Sequence, residues 1–97
     1  MRKEILAIAI FEPIEGKEKK CMKLTRELCA YLRRKGYARD KIYRSREHLL
    51  EFFDVRYWAS ADAAARAHRD PKVHKFWARL ERVCRIKKIY EKLEEVM

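Results

Sequence analysis

Three histidines, two tryptophans and a Tyr43-Arg44 pair carry most of the reactive chemistry in this chain of 97 residues. Histidine is the side chain whose ordinary pKa lets it exchange a proton near neutral pH. His68 and His74 are therefore the candidate catalytic residues, either imidazole being able to take a proton from a bound substrate. Their positions put His68 at the end of one helical segment and His74 at the start of the next, so both can border one cleft. His48 falls in a polar turn and reads as solvent-facing. Trp58, Tyr43, Arg44 and Trp77 are the candidate substrate-binding residues. Trp58 ends a strand beside Tyr57 and reads as pocket wall or core, whereas Trp77 shares a stripe with Leu80 and reads first as core. Tyr43 and Arg44 offer a phenol and a cation to a ligand, or simply decorate an exposed edge strand.

Several other chemistries are excluded. Two histidines with no neighbouring carboxylate pair are too few for a metal centre, and Asp70, directly before Pro71, reads as a helix cap; no metal is expected. Gly16 and Gly36 are the only glycines, and neither lies in a phosphate loop or dinucleotide fingerprint. Ser45 and Ser60, the only serines, lack the G-x-S-x-G elbow of a serine nucleophile. Cys21, Cys29 and Cys84 are odd in number and show no C-x-x-C spacing. That argues against a disulfide framework and a cysteine zinc site, and leaves Cys21 and Cys29 as small hydrophobes in an apolar helical stripe.

The net charge is +10 with a pI near 9.8. Such a field favours nucleic acid, an anionic membrane surface or a small anionic ligand. The basic groups are dispersed and interrupted by acids, however, and read as solvated helix faces. No Gly-aromatic RNA-binding signature is present, so nucleic acid is not an expected partner. The longest apolar run, residues 5–11, falls short of the roughly 20 residues of a membrane helix. A cytoplasmic protein with no membrane partner is expected. Charged residues make up 41% of a chain that contains no Asn or Gln, a trend of hyperthermophile proteins.

The elements that must position these groups follow from periodicity. Residues 5–11 are continuously apolar and Ile-rich, closed by Pro13 and Gly16, as in a strand buried on both faces. From Lys17, Cys21, Leu24, Leu28 and Leu32 recur at helical spacing, and Gly36 sits where the helix should end. Tyr37 to Arg44 suits a more exposed strand. Leu49 to Trp58 reads as a strand with Leu49, Phe53, Val55 and Tyr57 on one face and Leu50, Phe52 and Trp58 on the other. Ser60 can cap a short helix through Ala67, and Asp70-Pro71 starts another with Val73, Phe76, Trp77, Leu80 and Val83 as its stripe. The last dozen residues fit helix or strand. A strand from about Lys87 is preferred because a split βαβ unit needs its fourth strand.

The expected fold is thus α+β, a single ferredoxin-like domain over residues 1–97 in the order β-α-β-β-α-β. Its helices would cover one face of the sheet only. Yet the first and third strands carry large apolar groups on both faces, and leaving these wet forfeits about 1.5–3 kcal/mol apiece. A homodimer packed sheet on sheet is the simplest remedy.

Several short pieces in this order carry a resemblance. They are Phe11-Glu-Pro13 after the apolar strand, Gly16-Lys-Glu18, Gly36-Tyr37, Tyr43-Arg-Ser45, Tyr57-Trp-Ala-Ser60, Ala67-His-Arg-Asp-Pro71, His74 and Phe76-Trp77. Together they resemble the antibiotic biosynthesis monooxygenase-like family of the dimeric α/β-barrel superfamily, from Ile5 to about Cys84. The resemblance implies a ferredoxin-like protomer, a dimer whose two sheets face each other, and a pocket between helices and sheet. It implies a small cofactor-independent monooxygenase acting on a hydrophobic or aromatic ligand. Haem-degrading relatives make haem the alternative, which no residue here supports, so no cofactor is expected. Active members resemble one another in an Asn on the first strand and a Trp and a His in the later helices. This chain departs from that pattern with Ala9 at the strand position. The competing reading is a non-catalytic basic dimer that binds a small hydrophobic or anionic ligand, or nucleic acid.

Overall fold

The computed structural model describes residues 4–97. Strand β1 (Ile5–Pro13) leads to helix α1 (Glu18–Arg34), then strands β2 (Ala38–Arg44) and β3 (Phe52–Trp58), helices α2 (Ala61–His68) and α3 (Pro71–Glu81), and strand β4 (Cys84–Leu93). The sheet is antiparallel in the order β2-β3-β1-β4. This is the ferredoxin-like α+β arrangement, with the second helix broken in two.

Local chemistry accounts for the breaks. Gly36 adopts φ +74° after α1, where its amide donates to the Arg33 carbonyl and the Tyr37 amide to Leu32, the paired bonds that close a helix on glycine. Ser60 Oγ caps α2 by accepting from the Ala63 amide at 3.0 Å. Asp70 does the same for α3 through the Lys72 amide at 2.9 Å, with Pro71 in the first turn. The Asp70 carboxylate also accepts the hydroxyls of Tyr31 and Tyr37 at 2.7 and 3.0 Å, tying α3 to α1. Those bonds hold the Asp70 carboxyl below its ordinary range and push the Tyr31 phenol up to about 12.

The C-terminal segment is a strand, and it begins at Cys84, three residues before the expected start. The third strand is shorter than expected. Leu49 and Leu50 lie outside it in an exposed turn, where Ser45 Oγ accepts the Glu47 and His48 amides and the Ser45 amide reaches Glu51. Those local bonds compete with the ladder and delay pairing until Phe52.

One expectation about cysteine is overturned. Cys21 of α1 and Cys84 of β4 form a disulfide, and Cys29 is the free thiol. An odd count with no short spacing does not reveal two residues 63 apart that meet across one core. Around this link Phe11, Leu24 and Val83 make one apolar cluster, while Leu28, Leu32, Trp58, Ala67 and Val73 make the other.

The two faces of the sheet differ. Ile5, Ala7 and Phe11 of β1, with Phe52 and Trp58 of β3, pack under the helices. Alternation then turns Leu6, Ile8, Ile10, Phe53, Val55 and Tyr57 to the open face, each half-buried. Tyr90 and Leu93 pair with Ile8 and Leu6 and extend that apolar field.

Candidate functional site

Trp58 at the end of β3, His68 at the end of α2 and Trp77 in α3 converge, because the short α2–α3 connection folds α3 back beside α2. The His68 ring lies 5.7 Å from Trp58 and 5.2 Å from Trp77, and the His74 ring lies 5.4 Å from Trp77. Trp58 is buried, Trp77 half-buried, and both imidazoles are exposed. His68 Nδ1 stands 2.6 Å from the Ala64 carbonyl. A carbonyl only accepts, so Nδ1 carries a hydrogen, and in the neutral ring the lone pair is on Nε2. His74 Nε2 donates likewise to the His68 carbonyl, leaving its Nδ1 as the basic nitrogen. Each imidazole is thus oriented in a tautomer with one nitrogen able to take a proton.

The other two substrate-binding candidates lie elsewhere. Tyr43 is on the open face, 53% exposed and paired with Phe53. Arg44, the next residue, turns to the helix side and lines a cleft of about 460 Å³ with Lys19, Met22, Arg26, Leu50 and Phe52. Arg44 pairs with Phe52 and Trp58 closes the far end of that strand, a separation of about 20 Å at the usual rise per residue. The indole–imidazole group and the Arg44 cleft are therefore two places, with Tyr43 belonging to neither.

A third group of polar side chains lies under α1, outside the apolar stripes of the sequence. Asp54 and Arg56 of β3 and Asp40 of β2 point from the sheet toward α1, where Cys29 meets them. Arg56 Nε donates to Asp40 Oδ2 at 2.7 Å and its Nη2 to Asp54 Oδ2 at 2.9 Å. The Asp40 side chain is fully buried, and Oδ1 of both aspartates is buried with no partner among the described residues. Burial, together with the hydrogen bond that its protonated form donates to neighbouring Asp40, raises the Asp54 carboxyl to about 8. Burial also pushes the Cys29 thiol up to about 12, helped by the two carboxylates. Cys29 is thus half-buried beside charge rather than set in apolar surroundings. A signal was present: in Phe52-Phe-Asp-Val-Arg56 both charges fall on the face shared with Trp58. Asp54 pairs directly with Ala9, so a carboxyl stands beside the position where the family resemblance called for Asn.

Comparison with known proteins extends this picture by fold. No family model matches the sequence. No curated protein matches it either. Among solved structures, SnoaB, a cofactor-independent oxygenase from Streptomyces nogalater, superposes with a TM-score of 0.79 at 16% identity, with 97% of each chain covered. A conserved protein of unknown function and possible oxidoreductase from Bacteroides thetaiotaomicron gives 0.79 at 14% identity, over 94% of this chain and 99% of that one. A candidate antibiotic biosynthesis monooxygenase from Nitrosomonas europaea gives 0.75 at 14%, over 96% and 93%. Over 94–97% of its length the chain therefore has the fold of these proteins, at identities that speak for fold alone. Among the described residues no helix is long and apolar enough to cross a membrane.

Proposed function

We propose that this protein is a small homodimeric monooxygenase-like enzyme that oxidises a hydrophobic, phenolic ligand without an organic cofactor. The observation carrying this reading is the indole–imidazole group, in which His68 stands between Trp58 and Trp77 with Nε2 free to accept. The fold shared with a cofactor-independent oxygenase supports it. Indole faces suit a flat aromatic ligand. An imidazole that takes the phenolic proton raises the electron density of the ring. Oxidation of a phenol to a quinone by dioxygen then balances without a reductant: one oxygen atom becomes the new carbonyl, the other leaves as water with the two displaced hydrogens. His68 is the proposed base and His74 its neighbour on the same indole, Trp77. The half-buried apolar field on the open face is the proposed dimer surface.

Oxygen uptake with a panel of naphthols and quinols tests the reading. Uptake that falls about 10²–10⁴-fold in His68→Ala, with the thermal midpoint unchanged, is the expected result. No uptake with any phenol, or uptake indifferent to His68 and His74, overturns it.

The Arg44 cleft favours a second reading, a binding dimer for an amphipathic anion. Lys19, Arg26 and Arg44, against the one carboxylate of Glu18, surround Met22, Leu49, Leu50 and Phe52 there, in a volume that suits a small ligand. Calorimetry with a medium-chain fatty acid, against Arg44→Ala, separates the two readings.

A further inference from the structure

The helix-facing side of the sheet buries four polar side chains where packing alone would suffice, and their geometry asks for a cation. One ligand atom each from Cys29, Asp40 and Asp54 lies within 4.8 Å of the others. We propose that these three residues form a site for a divalent transition-metal ion of the zinc and cobalt class, held in place by Arg56. The proposal is independent of the oxygenase reading.

Three further observations point to an ion. Arg56 occupies the Oδ2 atoms of the two aspartates, and no donor from another described residue reaches either buried Oδ1, so the pair must share a proton or hold a cation there. The Asp40 side chain is 0% exposed, so water cannot satisfy its second oxygen from outside. The half-buried Cys29 sits on the α1 side and provides the way in.

The donor set then selects the metal. One thiolate and two carboxylates are too soft for calcium or magnesium, which take oxygen only, and suit a borderline ion. A tetrahedral ion with bonds of about 2.0–2.3 Å holds its ligand atoms roughly 3.3–3.8 Å apart, within reach of this cluster after a small contraction. Three protein ligands leave the fourth position to water or a small ligand. Charge also closes: the +2 ion and Arg56 balance a thiolate and two carboxylates, so nothing net is buried. Arg56 acts as the outer partner that fixes both carboxylates with their free oxygens presented.

Cobalt(II) is the probe, added without oxygen to the full chain stripped of metal by a chelator, with its disulfide intact. A near-ultraviolet thiolate-to-cobalt absorption that saturates at one ion per chain is expected, displaced by zinc. Cys29→Ser should abolish that band. Asp40→Asn should weaken binding about 10–100-fold. The His68→Ala, His74→Ala double variant should leave it unchanged. Absence of the band at millimolar cobalt, or an unchanged cobalt affinity in Asp40→Asn, overturns the proposal; the two carboxyls would then share only a proton. Should the variants misfold, the wild-type melting midpoint decides: zinc must raise it and magnesium must not, and equal response to both also overturns the site.

Discussion

The two faces of this sheet invert the usual arrangement. The face under the helices carries, at its centre, Ala7, Ala9 and the Asp40–Arg56–Asp54 network. The face without a cover carries Leu6, Ile8, Ile10, Phe53, Val55 and Tyr57. A lone antiparallel sheet keeps its uncovered side polar. The two faces thus differ in kind: the covered one gives up apolar burial at its centre for a charged cluster, and the uncovered one keeps an apolar surface, the one proposed to meet a second chain.

The largest effect should come from charging the open face. Ile8→Glu puts carboxylates into the proposed twofold contact, a penalty of several kcal/mol. Wild type should sediment at twice the 11.8 kDa chain mass and the variant at the chain mass. A monomeric wild type would remove the explanation for that face.

Next is the charged cluster. Arg56→Met leaves the buried Asp40–Asp54 pair with an uncompensated negative charge and should cost about 3–5 kcal/mol in urea unfolding. Replacing Asp40, Asp54 and Arg56 together with apolar residues of similar volume should restore most of that stability. If the single change proves neutral, the covered face is not the charged interior described above.

The disulfide between Cys21 and Cys84 comes third. Cys84→Ser should cost about 2–4 kcal/mol, measured by urea midpoint, with the dimer retained.

Smallest per unit step is a pH slope. Asp54 titrates near 8 in the folded chain against 3.8 as its ordinary value. Between those values the folded state holds a proton that the unfolded state has released. Stability therefore falls as pH rises through that window, by at most about 1.4 kcal/mol per pH unit, and levels off above it. Asp54→Asn should flatten the curve in metal-free buffer; an unchanged slope would place the proton elsewhere.

The fold was legible because its signals are local and agree: Gly36 ending α1, Ser60 and Asp70 capping α2 and α3, and two-faced apolar strands. Even the last strand yielded to topology when propensity pointed to helix. The site was legible only in part. His68 and His74 flank the short α2–α3 connection, so sequence proximity alone let them border one cleft, whereas Trp58 of β3 and Trp77 of α3 reach them only through packing. Tyr43 and Arg44 are adjacent in sequence, and strand alternation alone sends them to opposite faces. The charged cluster and the disulfide depend on contacts between distant segments, and their residue types looked like surface charge and spare hydrophobes.

The disulfide also determines what a cut would do to the chain. Residues 21 to 84 form a closed covalent ring, and the exposed turn at residues 46–50 lies inside it. A protease that nicks that turn therefore frees no fragment. The clipped protein migrates as one molecule until a reductant opens the ring, and only then do an amino-terminal piece with α1 and a carboxy-terminal piece with β4 separate.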